Sequence, residues 1–194
     1  MTISTGKRYA LAVNEEGDRM ENLSNYRALL AKVDELVAAI SAKYDEHLAC
    51  HAGCDSCCRH LTLSLVEGVA LAVAFHELPR DQMNDVRERA CNVAVDDPCP
   101  LLENGLCVLY AARPVICRTH GLPILIVEGD SKRVDFCPHN FRGIESLPGD
   151  AMIDLERLNT TLAAINALFI TASGLEAVQG AERISIADAL LLEV

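Results

Sequence analysis

The chain of 194 residues has no tryptophan and only four tyrosines and four phenylalanines. Aliphatic side chains must therefore supply most of its core. Basic residues are also scarce: 17 Lys and Arg stand against 28 Asp and Glu, for a net charge of -11, and Lys and Arg never run longer than two. That leaves no electropositive surface to neutralise phosphates, which argues against nucleic acid as a partner. Long hydrophobic runs are missing too. Stretches such as Val69 to Phe75 fall far short of the roughly 20 residues that span a bilayer, so no membrane segment is expected. Behind Lys7 and Arg8 the opening Met1 to Val13 has no apolar stretch or small-residue cleavage site. It does not read as a secretory signal, and the cytoplasm is the expected location. A Gly-rich phosphate loop, a dinucleotide fingerprint, a G-x-S-x-G elbow and an H-E-x-x-H pair are all absent. Nucleotide chemistry, serine hydrolysis and hydrolytic zinc catalysis are disfavoured accordingly, and no catalytic base is assigned. An unusual site for S-adenosylmethionine stays open.

What is present is a foldable chain, 51% apolar and 23% charged, with a mean hydropathy of +0.18. Its length suits a single domain over residues 1–194, and no repeat period or low-complexity tract appears. Nine cysteines stand out, eight of them between Cys50 and Cys117. In a reducing compartment such spacing points to metal binding or catalysis rather than to a disulfide framework.

The helical signals are strong at both ends of the chain. Leu23, Tyr26, Leu30, Val33, Val37, Ile40 and Tyr44 recur at steps of three and four, predicting an amphipathic helix near residues 22–49. A second stripe, Leu155, Leu158, Leu162, Ile165 and Phe169, follows Pro148-Gly149-Asp150 and stops at Gly174, predicting a helix near residues 151–173 with Gly174 as C-cap. The two are expected to pack antiparallel. Ser64-Leu65-Val66-Glu67 is a capping box before a helix over about Leu65 to Glu77, Pro79 breaks it, and Asp81 to Val93 reads as another helix. Asn14 to Asp18 reads as a turn. Between Pro98 and Phe141 the helical period is lost. Asn104-Gly105 and the Glu128 to Ser131 segment each predict a small hairpin. Ser185 caps a short helix from about Ile186, and Leu190 to Leu192 need cover. The expected fold is mainly α with small β-hairpins, a helical scaffold enclosing an irregular cysteine-rich region over residues 50–138.

Four thiols, Cys50, Cys54, Cys57 and Cys58, lie within nine residues, with Gly53 giving the chain freedom to curl. Adjacent side chains such as Cys57 and Cys58 tend to diverge, which suggests two centres, or one ligand beside a second supporting thiol. Cys99, Cys107, Cys117 and Cys137 sit at turn chemistry rather than on a periodic apolar face. Cys91 lies inside a predicted helix and reads as a packing residue. The eight remaining cysteines fit two four-thiolate zinc sites, one iron–sulfur cluster plus a zinc, or two clusters. Arg59, Arg113 and Arg118 flank them as potential donors to thiolate sulfur or as ordinary surface charges. His51, His60, His120 and His139 lie within three residues of a cysteine, with His51 and His120 the leading candidates to replace a thiolate.

Cys54-x2-Cys57-Cys58, Cys99-Pro100-Leu101-Leu102, Gly105-Leu106-Cys107, Tyr110, Arg113-Pro114-x2-Cys117-Arg118 and Cys137-Pro138 together resemble the YkgJ-type cysteine-cluster family. The resemblance covers roughly Cys50 to Pro138 and implies a "putative zinc- or iron-chelating domain" with these seven cysteines and Cys50 as ligands. The usual C-x2-C-x2-CC opening departs here to C-x3-C-x2-CC, which bears on Cys50. A related domain in flagellin lysine methylases is associated with an iron–sulfur cluster, which tilts the expectation towards iron.

The leading reading is thus a metal-binding protein holding an iron–sulfur cluster that is redox-active or supports modification of a protein side chain. A structural zinc-binding interaction module with a protein partner is the alternative. A thiol-redox or metal-buffering role for Cys57-Cys58, which needs surroundings that lower thiol pKa, is the third.

Overall fold

The computed structural model describes residues 22–94, 96–144, 146–173 and 183–194. The expected turn at 14–18 and the Gly174 cap lie outside the described residues. Among the described residues the chain is mainly helical, with three small sheets.

Helix α1 (Ser24–Lys43) buries the predicted stripe through Leu23, Tyr26, Val33 and Ile40. It ends six residues before the expected Ala49. The Tyr44 hydroxyl donates to Asp150 Oδ1 at 2.6 Å and Lys43 pairs with the same carboxylate, while the chain leaves the helix into a single 3-10 turn over Asp45–His47. Helix α5 (Leu155–Ala172) runs back alongside. Asn22 at the start of α1 bonds Ser173 past the end of α5, and Tyr44 at the other end meets Asp150 before its start, so the pair is antiparallel as expected.

Strand β1 (Thr62–Ser64) leads into helix α2 (Leu65–His76). At the junction Ser64 N–H and Ser64 Oγ both donate to Glu67 Oε2, at 3.0 and 2.8 Å. Eight of the twelve α2 residues are buried, making it the central helix. Helix α3 (Arg80–Asn92) follows the Pro79 break and buries Val86 and Ala90. Cys91 is exposed, not packed. It follows Ala90 by one helical step of about 100°, enough to turn it off the buried face.

Strands β2 (Leu102–Glu103) and β3 (Leu106–Cys107) form the first expected hairpin, closed by Asn104 and Gly105 at φ 51° and 77°. Positive φ at both turn residues matches the strand twist, and Asn-Gly tolerates it. The five-residue helix α4 (Val115–Thr119) packs on α1. Strands β4 (Ile124–Glu128) and β5 (Ser131–Asp135) form the second hairpin across Gly129-Asp130, a shorter loop than expected, with Gly129 at φ 60°. Strand β6 (Ile153–Asp154) joins β4 in parallel, giving the order β5-β4-β6.

Strand β7 (Arg183–Ser185) pairs antiparallel with β1, Leu63 opposite Ile184. Helix α6 (Ile186–Leu190) then packs on α2 and α3, capped by Ser185 Oγ accepting from Asp188 N–H at 3.0 Å. Its Leu190 is fully buried and Leu192 nearly so, while Leu191 stays exposed. The main core joins α1, α2, α3, α5 and α6, and Cys99 and Cys107 pack against it. A smaller core gathers Ile40, Tyr44, Leu122, Phe141, Ala151 and Ile153.

Candidate metal centre

The eight candidate cysteines are carried by turns and short elements, and main-chain bonds draw these together. Cys99 N–H donates to Cys58 O and His60 N–H to Asp97 O, both at 3.0 Å, around an antiparallel bridge between Arg59 and Pro98. Cys107 lies on β3 opposite Leu102, and Val108 N–H reaches Leu101 O at 2.9 Å. Cys117 is the third residue of α4. Gly105 backs onto Gly53, where an added Cβ would come within 3.4 Å of the Gly53 Cα. The loop from Cys50 to Cys58 and the hairpin turn are therefore in contact.

Cys58, Cys99, Cys107 and Cys117 form one set. Cys107 acts electrostatically on Cys58, Cys107 and Cys58 act on Cys99, and all three act on Cys117, so the four lie near one another. Burial is the main influence on them, because a half-buried thiolate loses hydration. It pushes Cys99 up to about 11 and Cys117 up to about 12, and raises Cys58 and Cys107. At Cys58, Cys99 and Cys117 the thiolate neighbours push the same way. Opposing them are the Leu101 N–H directed at Cys99, the Leu109 N–H directed at Cys107, and the charge of Arg113. Backbone N–H groups two residues beyond a cysteine are well placed to stabilise a thiolate.

Cys50, Cys54, Cys57 and Cys137 remain, and of these Cys54 acts on both Cys57 and Cys58. Cys57 is raised to about 11 by burial first, then by Cys58, Cys54 and Cys50. The two sets meet at the adjacent Cys57 and Cys58, and the charge of Cys58 raises Cys57. Cys137 comes to Cys50 at Gly121, whose added Cβ would stand 3.2 Å from Cys50 Sγ and 3.7 Å from Cys137 Cβ. All nine cysteines are free thiols, and Cys50 is exposed, so the region lies against the helical scaffold rather than enclosed by it. As placed, no three His, Cys, Asp or Glu side chains among the described residues close a ligand set around one ion.

The flanking residues divide. Arg113 stacks on the Tyr110 ring at 3.6 Å and donates to the main-chain oxygens of Tyr110 and Cys117 rather than to sulfur. Arg118 turns away: its side chain pairs with Asp34 on α1 at 2.6 Å and donates to Ala111 O and Arg113 O. Arg59 is exposed. His60 uses both ring nitrogens, Nδ1 on Ala94 O at 3.1 Å and Nε2 accepting from Ala187 N–H at 3.3 Å, so it ties the loop to α6. His139 Nδ1 accepts from Arg142 at 2.6 Å. His51 is exposed with Nδ1 on the neighbouring Ala52 O, and His120 is exposed.

Two supporting residues carried no such signal in the sequence. Glu67, visible there only as half of a capping box, also accepts Val115 N–H on Oε1 at 3.0 Å, fixing the start of the helix that carries Cys117. Asn140, three residues beyond Cys137, is 1% exposed and meets both the Ala49 N–H and the Cys50 sulfur.

No curated protein and no solved structure matches the chain. Residues 49–138 match the CxxCxxCC family model, whose printed description is "Putative zinc- or iron-chelating domain". All eight candidate cysteines fall inside the matched segment. Over residues 49–138, then, the chain is similar to the CxxCxxCC cysteine-cluster family.

Proposed function

We propose that this protein binds metal through two sets of thiolates, with Cys58, Cys99, Cys107 and Cys117 holding an iron–sulfur cluster and Cys50, Cys54, Cys57 and Cys137 forming a second centre. The observation that carries the reading is the main-chain bonding that brings these segments together, Cys99 N–H on Cys58 O at 3.0 Å and Leu102 opposite Cys107, with Cys117 close enough for the other three thiols to act on it. The donor set fits: four thiolates are the ordinary complement of a cluster, and N–H groups and apolar packing around the sulfurs are the features that tune its potential. Leu101 and Leu109 supply such N–H groups, and the main core supplies the apolar side. Such a cluster would bring electron-transfer chemistry or support modification of a protein side chain.

A second reading is a structural zinc module that engages a protein. It is favoured by Leu106 and Tyr110, 53% and 63% exposed on either side of Cys107, and by strands of only two residues that need a cross-link to hold them. Thiol-redox chemistry without metal gains little support, since the half-buried thiols are raised rather than lowered.

The test is purification without oxygen, a visible spectrum, and assay of iron, zinc and sulfide. Iron with sulfide supports the cluster, and colourless protein with stoichiometric zinc supports the module. Folded, reduced protein that neither carries metal nor takes it up overturns both. Cys57→Ser and Cys117→Ser should lose metal, whereas Cys91→Ser should keep it; equal retention in all three rejects the ligand assignment.

A further inference from the structure

Cys50 is the thiol that the irregular C-x3-C opening leaves furthest from the regular spacing, and it is exposed. A single flexible thiol at a loop edge makes a weak ligand unless something orders it. Asn140 meets that need. Its carboxamide is buried to 1% exposure, and its orientation is fixed because Oδ1 accepts Ala49 N–H at 2.9 Å. Nδ2 donates one hydrogen to Gly121 O at 2.7 Å, and Cys50 Sγ lies along the carboxamide edge, 3.4 Å from Nδ2 and 3.7 Å from Oδ1; a protonated thiol can donate to Oδ1, whereas a thiolate can only accept, from Nδ2.

The surroundings hold Asn140 in this pose. The next residue, Phe141, has φ 51°, a left-handed conformation unusual for a bulky side chain. It is kept there by ring contacts with Tyr44, His47 and Phe136 at centroid distances of 5.9, 6.2 and 6.0 Å, and by its N–H donating to His47 O at 2.7 Å. Gly121 leaves the gap: its φ of 90° and the lack of a Cβ admit Cys50 Sγ and Asn140 Nδ2 together.

We infer that Asn140 is a positioning residue for the second centre, its side-chain N–H holding the Cys50 sulfur as a metal-bound thiolate. The inference rests on the metal-binding reading above. N–H donation to a thiolate both orients it and offsets part of its charge, as ligand-supporting hydrogen bonds do generally.

The experiment loads reduced full-length protein with Zn2+ alone and follows the alkylation of each cysteine by iodoacetamide with peptide mass mapping. Cys91, exposed and outside both sets, is the internal reference. In the wild type, Cys50 and the other seven candidate ligands should be protected while Cys91 reacts. In Asn140→Asp, an isosteric change that removes the donor, and in Asn140→Ser, which adds no buried charge, Cys50 should react about tenfold faster or more. Cys58, Cys99, Cys107 and Cys117 should stay protected in both, an outcome that general unfolding would not produce. Equal protection of Cys50 in wild type and both variants overturns the inference. So does a wild type in which Cys50 alone of the eight is unprotected, although metal binding then stands. A wild type with none of the eight protected removes the metal reading, and this inference with it.

Discussion

Glu67 on α2 accepts the main-chain N–H of Val115 at 3.0 Å, although 48 residues separate them in sequence. The same carboxylate takes Ser64 N–H and Ser64 Oγ on its other oxygen, so a side chain 4% exposed has both oxygens occupied. One residue thus caps the central helix and fixes the start of the helix that carries Cys117.

Glu67→Gln should accordingly be costly for so small a change. The amide NH2 must face either the Ser64 or the Val115 N–H, leaving a buried donor unpaired, at about 1–3 kcal/mol. Urea denaturation should register the loss, and metal retention should fall with it. An unchanged midpoint would mean that the carboxylate is not satisfied in this way.

Gly68→Ala sets two effects against each other. Helix propensity alone would reward the substitution by about 1 kcal/mol. An added Cβ would, however, stand 2.4 Å from Ile184 Cγ2, on a β-branched side chain with little freedom to move. Steric displacement of β7 should win, and the melting temperature should drop. A rise would show that the β1–β7 pair yields easily.

The metal-free protein should lose stability in alkali. Cys99 and Cys117 are raised from the ordinary 9.0 to about 11 and about 12, chiefly by burial, so the folded state holds its protons longer than the unfolded state. The stability this preserves is full below pH 9 and is lost as pH rises towards 11 and 12. Buried Tyr26 is raised as well and acts in the same direction, so the measurement is comparative. Thermal melts of reduced protein between pH 8 and 11 should fall less steeply for Cys117→Ser than for wild type; parallel curves would contradict the burial of this thiol.

Arg118 and Asp34 should respond unequally. The Arg118 side chain is 8% exposed and also serves Ala111 O and Arg113 O, whereas Asp34 is 51% exposed. Asp34→Asn should cost less than about 1 kcal/mol, as exposed ion pairs do. Arg118→Ala should cost more, about 1–3 kcal/mol, by stranding the half-buried Arg113 carbonyl. Chemical denaturation of the two variants separates them, and equal costs would place the energy in the ion pair.

What could be read from the sequence was local. The Ser64 and Glu67 capping box, the Asn104-Gly105 turn and the Ser185 cap each depend on neighbours a few residues away, and each formed as expected. Pairings over long separations carried no such signal: β1 with β7, and β6 in parallel beside β4, arise from packing. The early end of α1 has the same origin, since Asp150 lies 106 residues from the Tyr44 it binds. Cys91 misled because its apolar character was read without its helical face, which Val86 and Ala90 define. At the candidate centre, cysteine spacing pointed to the thiols, but the Cys58 to Cys99 main-chain contact and the approach of Cys50 and Cys137 at Gly121, on which the proposed division into two sets rests, are not encoded in the spacing.

The pairing of Thr62 with the segment around Arg183, 121 residues later, also sets an order of events during translation. At about 5–20 residues per second, a ribosome that has finished β1 needs roughly 6–24 s more to reach its partner. Every cysteine is synthesised within that interval or just before it. The nascent thiols therefore meet the cell's metal pool while the face of α2 that receives Ile184 is still bare, so cofactor delivery can precede closure of the fold and need not reopen it.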